Sequence, residues 1–446
     1  MPGPPPICAL PGDLLARILS LLDPLRELLR SVNLDTHQAD GTTNAQAQRS
    51  LARLRSFSCW LLRRAAPHVR RLQLRIGTPY GDERAATRFE AEVLGLLLGC
   101  GAAAPQLEEV HLNLQFLHLA LPACLAPALH NLRVLEVEIE EGGLTLEVPL
   151  TAMSRLERLR LSATEGSGLE LAPEASLPAS LTSLRLGSFG WYSAAEEVPT
   201  FLPQVTCLPR LSRLRLDSTP FTPERFHALT ALAGSLRSLS LRWPSFLPGP
   251  QTFRSLSCLT ALDLESFSVA EDDVEDVFNP LEAALSELPQ LQQLEVHFGD
   301  CGYDIALPRL PPALAGMTSL HSLWCDLEAQ DRALPPGAWQ HSLRRLLLPG
   351  DIYLLNSSGI AAMPLRLLGV LHPYHSALHY TLMQLLEDIC TLRHLLFETS
   401  WGADDPGPPL FLRVPPAAQQ RNPPLCITTH VRIFEQSFDY IDSLEC

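Results

Sequence analysis

The chain has 446 residues, 46% of them apolar and 19% charged, which excludes disorder by composition and allows either several ordinary domains or one long array of repeats. Acidic residues outnumber basic ones, 49 to 34, and the net charge of −15 argues against a general binder of nucleic acid. All 34 basic residues are Arg, so the Lys of nucleotide-binding phosphate loops, of protein kinases and of Schiff-base enzymes is excluded outright.

From the N-terminus, residues 1–24 carry no basic stretch, and Asp13, Arg17 and Asp23 interrupt their apolar positions, which fits neither a secretory signal nor a transit peptide. Leu14, Leu15, Ile18, Leu19 and Leu22 recur at helical spacing after Pro11-Gly12-Asp13, and a second amphipathic stretch is expected over 25–34. The first 75 residues hold 11 Arg against 5 acids and the remainder 23 Arg against 44 acids, which places a boundary near residue 68. Residues 41–81 carry no acid and include Arg63-Arg64 and Arg70-Arg71; a helix packed by Phe57, Trp60, Leu61 and Leu62 with solvated Arg explains them better than a lipid or nucleic-acid site. The longest apolar run, Val93 to Ala104, is too short for the ~18–20 residues of a bilayer span, so no membrane span is expected.

From residue 69 onward the pattern Leu-x-x-Leu-x-Leu recurs thirteen times, beginning at Val69, Leu107, Leu132, Leu156, Leu181, Leu211, Leu236, Leu259, Leu291, Leu320, Leu343, Leu365 and Leu392. The mean spacing is about 27 residues. Each Leu-x-Leu pair reads as a short strand with both Leu inward and the intervening residues outward. Between strands, helices are expected where room allows: Thr222 and Pro223 open one that turns Phe226, Leu229 and Leu232 inward, and Asn279 with Pro280 opens another carrying Leu281, Leu285 and Leu288. No glycine-rich phosphate loop follows any strand, which disfavours a doubly wound sheet. This run resembles the leucine-rich-repeat proteins over residues 69–400. The resemblance implies an α/β solenoid with parallel strands on its concave face and helices and loops on its convex face. The family's Asn, three residues after the last core Leu, is replaced by Glu140, Thr164, Phe189, Thr219, Pro244 and Phe267.

The segment Leu10 to Pro24 resembles the opening of an F-box, and Phe57-Ser58-Cys59-Trp60-Leu61-Leu62-Arg63-Arg64 resembles its later Cys-basic-Trp segment, with residues 35–50 as an insertion. That likeness implies that Leu10, Pro11, Ile18, Leu19 and Trp60 face or support a Skp-type adaptor of a cullin-RING ubiquitin ligase. The bare alternative is a helical cap on the array. Three parts are therefore expected: 1–68 as F-box-like segment and cap, 69–400 as solenoid, and 401–446 as a Pro-rich linker followed by a strand over 427–434 or a tail.

No catalytic, cofactor or metal site is expected. His372, His375 and His379 lack an accompanying Glu or Cys, and the acidic run Glu271 to Asp276 lacks the spacing of a calcium loop. Eleven Cys at irregular spacing read as reduced, mostly buried thiols, which points to cytoplasm or nucleus. The expected role is a substrate-recruiting F-box adaptor, and the rival is a scaffold of the cytoskeleton or ciliary axoneme. The third, fifth and seventh positions of the repeats from Leu156 to Leu236 place Arg158, Arg160, Arg185, Arg213, Arg215 and Arg242 on the concave face, opposed by Asp217. Such a patch fits a target with an acidic or phosphorylated segment. Cross-strand acids such as Asp217 and Glu136 are the alternative partners.

Overall fold

The computed structural model describes residues 30–35, 44–77, 83–115, 117–122, 124–140, 142–146, 149–164, 169–171, 176–187, 202–217, 226–242, 248–265, 274–297, 311–325, 337–349, 360, 362–371, 389–398 and 426–430. The chain divides into two units, Met1–Ser218 and Thr219–Cys446.

In the first unit seven parallel strands pair in the order β1 (Ser31–Asp35), β2 (Arg71–Gly77), β3 (Glu109–Gln115), β5 (Val134–Glu140), β7 (Arg158–Thr164), β9 (Ser183–Gly187) and β10 (Arg213–Asp217). The alternation in each strand carries Leu72, Val110, Leu135, Leu159, Leu184 and Leu214 in one register row, all buried. A buried Leu stabilises by about 1.5–3 kcal/mol, and no single strand has a second layer to bury it against, so the repeats fold only as a stack. The Leu that opens each repeat is buried as well, from Val69 and Leu107 to Leu211.

The expected helix over 25–34 gives way at Ser31 to strand β1, which pairs with β2 from Ser31↔Arg71 to Asp35↔Arg75. Leu29-x-x-Val32-x-Leu34 is itself a repeat copy, and its period of two outweighs the helical reading once β2 offers a ladder. Helix α1 (Asn44–Trp60) follows, burying Leu51 and Leu54 and continuing through a wide turn at Leu61–Ala65. Helix α2 (Glu83–Ala103) buries Phe89, Val93, Leu96, Leu97 and Cys100. At Gly99 a Cβ would lie 2.7 Å from Leu62 Cδ1, so glycine permits the close approach of α2 to the turn after α1.

On the far side of this unit a second, three-stranded parallel sheet pairs β4 (His118–Leu121), β6 (Gly143–Leu146) and β8 (Leu169–Leu171), where only helices and loops were expected. Leu119, Leu121, Leu144 and Leu146 alternate inward and are buried, which makes these segments strands.

The second unit pairs eight parallel strands in chain order: β11 (Ser238–Arg242), β12 (Ala261–Glu265), β13 (Gln293–His297), β14 (Ser322–Cys325), β15 (Arg345–Pro349), β16 (Leu367–Leu371), β17 (His394–Glu398) and β18 (Cys426–His430). Leu239, Leu262, Leu294, Leu323, Leu346, Leu368 and Leu395 form its inward row. Phe226, Leu229 and Leu232 are buried as expected, although His227–Leu232 is a 3-10 helix. The helix expected to open at Asn279 instead spans Val274–Ser286, with Pro280 in its interior. Loss of one backbone bond there is offset by burial of Leu281, Ala284 and Leu285 on the helix's inner face.

Most strands begin with two consecutive N–H groups on one carbonyl of the preceding repeat. Glu108 and Glu109 donate to the Arg70 oxygen at 2.8 and 2.9 Å, and the device recurs as far as Arg393 and His394 on Arg366. Both units are α/β leucine-rich-repeat arrays, with helices, turns and, in the first unit, short strands linking the parallel strands.

Candidate functional site

The outward face of the first unit's sheet is open to solvent and sorted by charge. Strand β5 places Glu136, Glu138 and Glu140 on it, because Val-Leu-Glu-Val-Glu-Ile-Glu alternates with period two. Strands β7, β9 and β10 place Arg160, Arg185 and Arg215 in one register row, with Arg158 and Arg213 two residues earlier on their own strands. Adjacent strands lie ~4.8 Å apart, so the three row-mates repel unless carboxylates intervene.

Two carboxylates do. Asp217, nearly buried, accepts hydrogen bonds from Arg185 Nε and from Arg215 Nε at 2.9 Å each. Its register partner is Gly187, where a Cβ would sit 3.1 Å from Asp217 Oδ2 and as close to Ser162 Cβ. Glycine at 187 therefore leaves the carboxylate room to turn across the sheet. Arg160 Nη2 donates to Glu138 at 2.9 Å. Burial lowers the Arg185 pKa to about 10, Asp217 opposes that shift, and the charges of Arg215 and Arg160 add to it.

Arg158 and Arg213 are exposed and have no carboxylate within ion-pair distance among the described residues. Arg242 belongs to the second unit, at register with Glu265. The expected patch thus comprises three Arg tied to internal acids and two Arg left open. Glu138, His111 and Gly187 were not singled out from sequence, because each acts through a strand neighbour at least 22 residues distant.

His111 on β3 bonds Glu136 Oε2 through Nδ1 at 2.8 Å, and its Nε2 lies 3.5 Å from Glu109, which in turn pairs with Arg71. The Glu136 bond, followed by its charge, outweighs burial and raises the His111 pKa. A histidine raised in the folded state stabilises fully below its unfolded pKa of about 6.5, and that contribution is lost as pH rises through the folded value. Resistance to urea is therefore expected to fall as pH rises above about 6.5. His111→Asn should remove that component, and an undiminished fall in the variant would assign it elsewhere.

In the second unit the outward positions behave differently. Trp324, Leu347, Leu367 and Leu396 occupy them yet are at most 2% exposed. Gly369 makes room for Leu347, whose Cγ would stand 2.8 Å from a Cβ there. Such positions offer no free surface to a partner.

Of the adaptor-facing residues expected at the N-terminus, Trp60 ends α1 with 42% exposure and its ring 5.9 Å from that of Phe57. Leu10, Pro11, Ile18 and Leu19 lie outside the described residues, as do His372, His375 and His379. Five of the eight described cysteines are exposed, not buried as expected, since positions such as Cys59 and Cys124 fall on outward faces; none forms a disulfide. Buried Cys100 has its thiol pushed up to about 12. No described helix is long and apolar enough to cross a membrane, and no metal-ligand cluster occurs among the described residues.

No protein-family model and no curated protein matches the chain. Among solved structures it is similar to a chain of the TLR13–ssRNA13 complex, with 16% identity, a TM-score of 0.36 and coverage of 75% of this chain and 56% of that one. It is also similar to the leucine-rich-repeat ectodomain of the plant membrane receptor kinase GASSHO1/SCHENGEN3 from Arabidopsis thaliana, in complex with CASPARIAN STRIP INTEGRITY FACTOR 2. There the identity is 14%, the TM-score 0.29 and the coverage 74% and 38%. The chain spans about half of the first of these and less of the second.

Proposed function

We propose that the protein is a non-catalytic binding scaffold of cytoplasm or nucleus, whose first unit captures an acidic or phosphorylated segment of a target protein on the outward face of β7, β9 and β10. The observation that supports this reading is the five-Arg face on which Asp217 and Glu138 bond Arg185, Arg215 and Arg160, while Arg158 and Arg213 are exposed with no ion pair among the described residues. Arg158 and Arg213 would make the bidentate contacts to phosphate or carboxylate, while Asp217 holds Arg185 and Arg215 upright between them.

The test uses the full chain and a fluorescent Asp-rich phosphoserine peptide. Arg158→Ala with Arg213→Ala is expected to weaken binding about tenfold or more, equivalent to about 1.4 kcal/mol, with the melting temperature unchanged because both side chains are exposed and unpaired. Unchanged affinity at physiological salt would overturn the assignment.

A finer reading joins this scaffold to a ubiquitin ligase, with Leu10, Pro11, Ile18, Leu19 and Trp60 docking on a Skp-type adaptor and its cullin. The exposure of Trp60 favours it: among the described residues it is the one large apolar side chain left in water. Deleting residues 1–68 is a poor probe, since it removes β1 and α1 with the docking segment. Ile18→Glu with Trp60→Glu should instead abolish copurification of Skp and cullin and leave peptide binding intact. Recovery of neither partner with the unaltered chain leaves a scaffold without ligase association, cytoskeletal or axonemal.

A further inference from the structure

The edge on which the strands begin carries its own row of side chains. In most repeats a carbonyl accepts two N–H groups and belongs to the residue just after the opening Leu, where the chain enters the sheet at its edge. From Arg70 through Glu108 and Arg133 to Glu157 the row alternates in sign, before the uncharged Thr182 and Ser212, and Arg133 closes on Glu157 with Nη2 2.9 Å from Oε2 and 3.0 Å from Oε1. In the second unit the row holds no carboxylate, and its last four positions are His321, Arg344, Arg366 and Arg393.

These four are locked in register. Arg344 N donates to His321 O at 2.7 Å, Arg366 N to Arg344 O at 2.7 Å, and Arg393 N to Arg366 O at 2.8 Å. Arg344 gives one guanidinium N–H to the Pro364 oxygen at 3.2 Å. Arg366 and Arg393 are exposed, and neither side chain has a hydrogen-bond or ion-pair partner among the described residues. In a chain of net charge −15, three unpaired or half-paired Arg at the starts of adjacent strands are a local reversal of sign.

We propose that this edge docks an α-helix of a partner protein that carries an acidic stripe, with Glu or Asp at i, i+4 and i+7. The spacing selects the helix. Arg344, Arg366 and Arg393 repeat at ~4.8 Å, close to the ~5.4 Å between carboxylates one helical turn apart. Carboxylates on one side of an extended strand repeat at ~6.6–6.8 Å and fall out of step by the third Arg. A helix also presents its stripe with little further ordering cost. The surface is separate from the Arg face of the first unit and does not depend on that assignment.

Two fluorescent helical peptides of identical composition provide the test, one with three Glu at i, i+4 and i+7, the other with the same three spread around the helix. Anisotropy with the full chain at about 150 mM salt is expected to show the striped peptide bound about fivefold or more tighter. Arg366→Gln with Arg393→Gln should lower that affinity about tenfold, at an unchanged melting temperature and with undiminished phosphopeptide binding by Arg158 and Arg213. Equal affinity for the two peptides, or indifference to the double substitution, overturns the proposal. Competition by anionic vesicles or single-stranded RNA as effective as the striped peptide, at equal charge concentration, also overturns it and gives the edge to another polyanion.

Discussion

Trp324→Ala is expected to lower folding stability by about 4 kcal/mol, the range for truncating a fully buried large aromatic. The position makes the size of the effect informative. Trp324 shares its register row with Glu295 and Leu347, on the side of the sheet opposite Leu323, and repeat logic assigns that side to solvent. Its exposure is nevertheless 0%, as is that of Leu347, and Leu396 in the same row is at 2%. Removal of the indole leaves a cavity bounded by rigid strands, which relax little, so the lost transfer energy and the cavity term add. Urea unfolding of the two proteins measures the difference. A loss below about 1 kcal/mol would mean that the side chain stands in water and that the apolar row is free surface.

Asp217→Ala should cost about 3 kcal/mol for a different reason. The carboxylate serves two guanidinium groups at once, and Arg185 is already pushed down to about 10, with burial as the first cause. Without Asp217, the partly buried Arg185 charge faces Arg160 and Arg215 across neighbouring strands without the carboxylate that holds it. The second variant separates this cause from a packing defect. Arg185→Met added to Asp217→Ala removes the stranded charge and should restore part of the loss, whereas two independent defects would sum. A double variant less stable than either single one would sink the account.

Much of the architecture is legible in the letters because a leucine-rich repeat is written locally. The spacing of Leu156, Leu159 and Leu161 specifies a strand, its register and its inward face in six residues, and the neighbouring repeat says the same thing 25 residues later. For the same reason Leu29-x-x-Val32-x-Leu34 was readable as a further strand. The helical spacing of the residues before it competes for the same letters, and the ladder offered by β2 decides the outcome. The alternation Leu117-x-Leu119-x-Leu121 likewise carries the far-side strand β4. Its partner β6 can approach only because residue 142 is Gly, whose Cβ would collide with the Leu117 carbonyl.

The sequence by itself determined which residues face outward, since a period of two leaves no choice, and so it placed Arg158, Arg160, Arg185, Arg213 and Arg215 on one face of neighbouring strands. Only the tertiary structure decided which of them remain available. The decisive pairs form across strands, between residues 22 and 32 apart in the chain: Glu138 takes Arg160, and Asp217, already bonded to Arg215 two residues before it on the same strand, swings over Gly187 to take Arg185. The same holds for the outward Leu and Trp of the second unit. Period two says only which side of the sheet a residue lies on, and whether that side meets water depends on what packs over it.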